Sequence, residues 1–452
     1  MRYFKYSLIP LGMFWAYYHS WLSDDIFITF RYVQQLFNGN GLVYNVGEYV
    51  EGFTHPLWLI MLIPFYPNLE LASQILGLLS FGGLIYLLTR SGWLAAGLVV
   101  FNMEMRIWAT GGLETMFFTF LVFLSVWATL EKKNWVGWVL LAMILTRPDG
   151  ILIAGVILLF NWRYYKPLLL LIPFLALRYF YYGDLLPNPY YAKSGGGSYF
   201  SQGFYYIWVY VSVYVSTFLI LYGFRFIKKK EIALPMAVIF VYLILFVARV
   251  GGDFMYARFI IPVIPLIYFI IEQSFKEFKS VAILVSILVL FSLVEFNLRT
   301  NLFYDKADNH KPAFELRGVT DESWYWGQKV NGMTPIDANR VAGQNLKKIF
   351  NGKRFCVLLR GQASLGYYGE FYTCIENAGL TDRFIAKQNL GERGRVGHEK
   401  GASLEYMKQR GVHFVFNRTT YDASNKQVLF TLSGIRLRAE IITLDSLVKS
   451  IL

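Results

Sequence analysis

Apolar stretches of membrane-crossing length follow one another as far as residue 298 of this 452-residue chain, and that pattern leaves few folds open. A span needs about 20 apolar residues, with shorter ones tolerated at bends. We read spans at 6–22, 70–89, 91–109, 113–130, 134–146, 149–161, 166–182, 204–224, 231–248, 259–274 and 280–298, which makes about eleven. Arg147-Pro148-Asp149 breaks the short pair 134–146 and 149–161. The stretch 56–66 is apolar but too short, and reads as re-entrant or interfacial. Only 16% of the residues are charged, where a soluble domain carries roughly 25%. That excludes a disordered chain, a coiled coil or an ordinary cytosolic enzyme. The first stretch lacks a small-residue cleavage site and is followed by more spans, so it reads as a span rather than a signal peptide.

Charge divides the chain. Residues 1–298 hold 20 Lys+Arg and 15 Asp+Glu, and residues 299–452 hold 23 and 15. The second part is thus about a quarter charged, like a globular domain. We expect a transmembrane domain at 1–298 and a soluble α/β domain at 299–452. The net charge of +13 belongs to membrane-flanking loops rather than to a nucleic-acid surface. Arg2, Lys5, Arg90, Lys132, Lys133, Arg163, Lys166, Arg225, Lys228–Lys230, Lys276 and Lys279 fall on one side if the spans alternate. That side is cytoplasmic, which puts the N-terminus inside and the C-terminal part outside.

The other side carries the chemistry. Its loops read SDDIFITFRY (23–32), GLVYNVGEYVEGFTHPLW (41–58), GGLET (111–115), LTRPDG (145–150), LLPNPYYAK (185–193) and GGDFMYARF (251–259). Polar groups converging on one membrane face suggest a site built from several loops. Asp24 and Asp25 precede a segment with Phe27, Phe30, Val33, Leu36 and Phe37 on one helical stripe, which predicts an amphipathic helix lying on the outer surface. An N-cap explains one aspartate but not two. A carboxylate there suits a general base acting on a sugar hydroxyl. Arg147, Asp149, Lys193, Arg258 and His55 supply charges that could meet a phosphate. The competing readings are a buried Arg147–Asp149 pair and interfacial snorkelling of Lys193 and Arg258. Glu48, Glu51, Glu114 and Asp253 could share a divalent metal, Mg or Mn by ligand type. Paired-histidine zinc spacing, a P-loop, a GxGxxG and a GxSxG elbow are all missing. Residues 194–198 (SGGGS) read as a flexible loop. Chemistry outside the cell without a nucleotide needs an activated substrate that arrives in the membrane. Polyprenyl-phosphate sugars are of that kind.

The run DDIFITFRYVQQLFNGNGLVYNVGEYVEGFTHPLW resembles the first outer loop of the terminal arabinofuranosyltransferases (AftB) of the mycobacterial cell wall and of their wider ZomB-type bacterial relatives. GGLET, LTRPDG, LLPNPYYAK, GGDFMYARF and VGHEKGASLEYMKQRGVHFVFN (396–417) follow in the family's order, so the resemblance covers nearly the whole chain. NPYYAK stands where NTYYAK is more usual. The resemblance implies a GT-C fold, an outer loop (23–56) bearing the catalytic acid, and an inverting transfer from a polyprenyl-phosphate sugar to a cell-envelope acceptor. It implies Asp24 as base with Asp25 beside it, and Arg147, Lys193 and Arg258 on the donor phosphate. It further implies that His55, Glu51, Asp149, Asp253 and Glu114 make sugar or acceptor contacts. A bacterial cytoplasmic membrane location goes with it.

In the C-terminal part, 354–360 and 412–417 read as buried strands and 401–410 as a helix. Its role would be acceptor binding. Cys356 and Cys374, the chain's two cysteines, are a disulfide candidate on an oxidising side, against two buried free thiols. The N-x-T at Asn417 is a chance match. Two other classes compete. One is a transporter or lipid flippase working at the Arg147-Pro148-Asp149 break. The other is a non-catalytic envelope or flagellar assembly protein.

Overall fold

The computed structural model describes residues 4–276, 281–304, 315–329, 332–350, 352–416, 427–432 and 435–441; Arg2, Lys279 and Asn417 lie outside them. The apolar part is helical throughout. Helices α1 (Leu8–Tyr18), α2 (Ile26–Phe37), α3 (Pro56–Leu62), α4 (Leu69–Ser91), α5 (Leu94–Phe101), α6 (Met103–Trp108) and α7 (Thr115–Leu130) come first. After them come α8 (Val136–Thr146), α9 (Gly150–Phe160), α10 (Leu171–Tyr182), α11 (Asn188–Lys193), α12 (Phe200–Val213) and the short α13 (Ile220–Gly223). Then α14 (Lys230–Val241) runs on as a π-helical turn over Tyr242–Ala248, and α15 (Ile264–Ser274) and α16 (Val281–Phe303) complete the helical part.

By length and composition, two helices could cross a membrane, Leu69–Ser91 and Lys230–Ala248. The pair Phe200–Val213 and Val215–Phe226, bent by 95°, makes up to three. Against the about eleven spans expected, with short ones tolerated at bends, most of these stretches form shorter or broken helices among the described residues. Polar and proline positions break them. Within 91–109, Asn102 leaves the helix and its side chain accepts from the Met105 amide (3.1 Å), while its Nδ2 donates to Tyr210 and Tyr268. A buried side chain that caps the next helix this way ends one helix and starts another. By contrast, α4 contains no proline and places Glu70 in its first turn and Arg90 in its last, matching the helix dipole. A Cβ on its Gly77 would sit 2.3 Å from the Ala109 carbonyl, so only glycine lets the two backbones approach.

The C-terminal part holds α17 (Glu322–Gly327), α18 (Pro335–Phe350), α19 (Ala363–Gly369), α20 (Arg383–Ala386) and α21 (Leu404–Gln409). Its strands are β1 (Cys356–Leu359), β2 (Thr373–Glu376), β3 (Phe414–Phe416), β4 (Gln427–Leu432) and β5 (Ile435–Ile441), in the order β2-β1-β3-β5-β4. β1 pairs parallel with β2 and β3, and β5 pairs antiparallel with β3 and β4. The two strands read from sequence are β1 and β3. Cys374 stands opposite Val357, one register step from Cys356. Neighbouring strand positions face opposite sides of a sheet, and the two cysteines join different apolar clusters. Both are buried free thiols, so the disulfide expectation is corrected.

Helix α2 does not lie open on a surface as expected. Residues Ile26–Gln35 are all buried, because α19 covers them. The rings of Tyr367 and Tyr368 pack on Phe27 at 5.6 and 5.5 Å. Arg31, fully buried, donates to the carbonyls of Tyr44 (2.9 Å), Gly366 (2.7 Å) and Phe371 (2.6 Å). Removing one partner strands the rest, at about 1–3 kcal/mol per buried group. Arg31→Ala is therefore expected to destabilise the chain by about 3 kcal/mol or more and to open the β-sheet region to protease. A melting curve and a proteolysis time course check this, and unchanged protection would show that Arg31 does not hold the contact.

Candidate active site

The loop after α1 is fixed by tryptophans. Trp21 Nε1 donates to Ile107 O (2.9 Å), and Trp58 Nε1 donates to Gly112 O (3.1 Å). Gly112 has φ +81°, and a Cβ there would meet Leu22 at 2.9 Å, so the GGLET turn needs glycine at that point. The Ser23 amide donates to Gly111 O (3.0 Å). The turn thereby sets Asp24 and Asp25 at the entrance of α2.

The two aspartates part company there. Asp24 is buried, and its carboxylate accepts from the amides of Ala363 (2.6 Å) and Ser364 (3.0 Å) and from Ser364 Oγ (2.5 Å). It caps α19 and is not among the residues lining the cavity that Asp25 faces, which does not suit the base role expected of it. Asp25 faces a cavity of about 310 Å³, and its carboxylate makes no hydrogen bond or ion pair among the described residues. Burial pushes its carboxyl up to about 6, with Arg258 and Lys193 opposing and Asp24 and Glu322 adding to the rise.

The same cavity is lined by His55, Arg147, Asp149, Lys193, Asp253 and Arg258. Glu114 stands behind the wall and organises it. Its carboxylate meets Arg147 Nη1 (3.0 Å), Arg258 Nη2 (3.5 Å) and His55 Nδ1 (3.3 Å). Burial alone would raise it, but these neighbours outweigh burial and hold it at about 2. Burial lowers His55, whose Nε2 lies 2.7 Å from Thr29 Oγ1. Arg147 also binds Asp149 through Nε (3.0 Å), and Tyr242 on the π-helical turn donates to Asp149 (2.9 Å). The buried Arg147–Asp149 pair weighed from sequence is what the fold contains. Arg258 reaches Asp253 at 3.5 Å, and its Nε is buried without a partner. Ala257 before it has φ +62°, an unusual conformation for alanine that turns Arg258 toward the cavity. Lys193 is exposed at the rim, and among the described residues its ammonium makes no ion pair.

Glu51 lies outside this cavity, paired with Arg178 at 2.7 Å, and Glu48 pairs with Arg410. The carboxylates proposed to share a metal each face an arginine instead, and no group of three His, Cys, Asp or Glu side chains forms a metal site among the described residues. Sequence reasoning missed Thr29, Arg178, Tyr242 and the roof. Leu380 and Val396 line the cavity from the C-terminal part. Asn188 Nδ2 donates to the carbonyls of Gly379 (2.7 Å) and Leu380 (3.0 Å), and Lys400 Nζ donates to Tyr191 O (2.8 Å), which ties α11 to that roof. The motif VGHEKG at 396–401 was the one available signal.

Glu114→Gln leaves two buried arginines short of a counter-charge. Its expected cost is about 3–5 kcal/mol, read as a lowered melting temperature, whereas Asp25→Asn should leave melting unchanged or raised. Equal effects from the two variants would contradict this division.

No family model matches the chain. It is 29% identical over 232 residues to a terminal beta-(1->2)-arabinofuranosyltransferase of Mycobacterium tuberculosis, a match spanning 41% of this chain and 37% of the relative. It is 27% identical over 349 residues to the protein of the same name from Corynebacterium glutamicum, spanning 58% of this chain and 49% of the relative. The match thus spans less than half of either relative. The fold superposes on the crystal structure of ArnT from Cupriavidus metallidurans in the apo state, with a TM-score of 0.52 over 96% of both chains at 12% identity. By fold the chain is a mostly helical protein like ArnT, with apolar helices suited to a membrane, and in sequence it is similar to the terminal arabinofuranosyltransferases.

Proposed function

We propose that the chain is an inverting glycosyltransferase that moves a sugar from a polyprenyl-phosphate donor to a cell-envelope acceptor. The names of its two sequence relatives support arabinofuranose as the sugar. One observation carries the reading. An unpaired carboxylate, Asp25, and an unpaired ammonium, Lys193, line one cavity together with the loosely paired Arg258. Asp25 takes the proton of an acceptor hydroxyl as that oxygen attacks the anomeric carbon. The bond from the anomeric carbon to the donor phosphate breaks, and the phosphate leaves with the pair of electrons. Lys193 and Arg258 balance its charge. Arg147, fully engaged by Glu114 and Asp149, shapes the wall rather than binding phosphate. Asp24 positions Asp25 through α19. Residues 1–298 form the membrane domain and 299–452 the soluble one. The N-terminus faces the cytoplasm and the site faces the outside of a bacterial cytoplasmic membrane.

The test uses the full chain in lipid nanodiscs with a panel of polyprenyl-phosphate sugars. Asp25→Asn is expected to lower turnover about 10²- to 10⁴-fold while donor binding remains. Full turnover by that variant ends this reading. Asp25 acts deprotonated, so kcat/KM rises with pH through about 6 and falls below it. Lys193→Ala removes a charge that lowers the Asp25 pKa, so it should move that limb upward as well as weaken donor binding. A limb that stays put, or moves down, would take the titration away from Asp25.

A further inference from the structure

A second, half-buried cation lies away from this site. Arg106 on α6 has its Nε sealed from solvent with no partner. Among the described residues its guanidinium makes no hydrogen bond or ion pair, and its one close neighbour of note is the Trp15 ring at 4.9 Å. Nearby carboxylates are already taken. Glu104 accepts from Arg299 at 2.5 Å, and Glu295 accepts from the Ser216 amide at 2.9 Å. An arginine at membrane depth without a counter-charge is expensive, and such residues are normally paired.

Arg106 faces a cavity of about 240 Å³ whose other walls include Trp15, Phe101, Val289, Leu293 and Phe296, with Tyr214 and Glu295 as polar members. Met103 is shared with a second cavity of about 400 Å³, which lies at the ends of α1 and α16. That one is polar, lined by His19, Ser20, Arg299, Tyr304, Asp321 and Ser323. Neither cavity shares a residue with the one that holds Asp25. The pair thus offers a largely apolar trough lined by a cation that makes no ion pair among the described residues and, meeting it at Met103, a chamber of hydrogen-bonding groups.

We propose that these two cavities hold one bilayer phospholipid with an anionic phosphodiester and a hydroxylated headgroup. The phosphate meets Arg106, for which a guanidinium offers paired donors. An acyl chain lies against Phe101, Leu293 and Phe296, and the headgroup hydroxyls occupy the polar chamber. A choline or ethanolamine headgroup finds no spare carboxylate there, because Asp321 is held by Arg299 at 2.8 Å.

The test is native mass spectrometry of the delipidated full chain titrated with dioleoylphosphatidylglycerol or dioleoylphosphatidylcholine. One phosphatidylglycerol per chain is expected, bound about tenfold tighter than phosphatidylcholine. Arg106→Gln should remove that preference, and Arg106→Lys should keep part of it. Val289→Trp leaves the cation in place and fills the apolar trough, so it should weaken the same site and carries the test if Arg106→Gln fails to fold. Equal binding of the two lipids by wild type, or undiminished preference in both Arg106→Gln and Val289→Trp, overturns the proposal. Displacement by polyprenyl phosphate at equal affinity overturns it too, by giving the cavity to a carrier lipid. Turnover of donor sugar in the Asp25 assay is a separate readout, so the two readings fail independently.

Discussion

Two buried charges at the start of α2 hold the cavity's floor to its roof. Asp24 sits at the N-terminus of α19 and accepts its first amides, while Arg31, seven positions on, donates to carbonyls at Gly366 and Phe371 near that helix's end. Negative charge thus meets the positive end of α19 and positive charge the negative end. Neither ion is left unsatisfied in its apolar surroundings, which is the condition for burying it at all. Because one anchor immediately precedes α2 and the other lies on it, they fix position and direction together. Everything that reaches the cavity from the C-terminal part, including Leu380 and Val396, inherits its placement from this contact.

That contact also separates the roles of two adjacent, chemically identical residues. One step along the turn points successive side chains in different directions. Asp24 is committed to backbone amides, and Asp25 is left to the cavity. The same distinction sorts the cations. Arg147 has two carboxylates at 3.0 Å, Arg258 has two at 3.5 Å, and Lys193 makes no ion pair among the described residues. A charge fully answered by protein stabilises the fold, and a charge only partly answered is available to a ligand.

The sequence made the helical apolar part, the separate charge-rich part, two of its strands and the convergence of the loops legible, because each is a matter of local pattern. Apart from the one at Arg147-Pro148-Asp149, it did not make the breaks legible. Asn102 ends a helix only because its amide finds Met105 and two tyrosines from distant segments. Nor could it distribute partners. Glu51 looked like a sugar contact until Arg178, read as part of an apolar span, turned out to face it. The cysteines were judged by compartment, whereas the register of β1 and β2 decides that they face opposite ways. Helix α2 was correctly periodic, but its second apolar environment is supplied by α19, more than 300 residues on. In each case the missing information was a long-range contact.

The arrangement of Glu114 bears on how a free carboxylate and cations share one cavity. A carboxylate paired closely with arginine is a poor base, because the pairing favours its ionised form and draws its pKa down. Arg258 and Lys193 both act on Asp25 in this sense, yet burial prevails and the carboxyl stays near 6. Arg258 is shared with Glu114 and Asp253, each at 3.5 Å. Glu114 is kept ionised despite its burial by His55 and by the two arginines that it binds. An anion in the cavity would compete with Glu114 and Asp253 for Arg258, loosening those contacts rather than displacing Arg258 from Asp25.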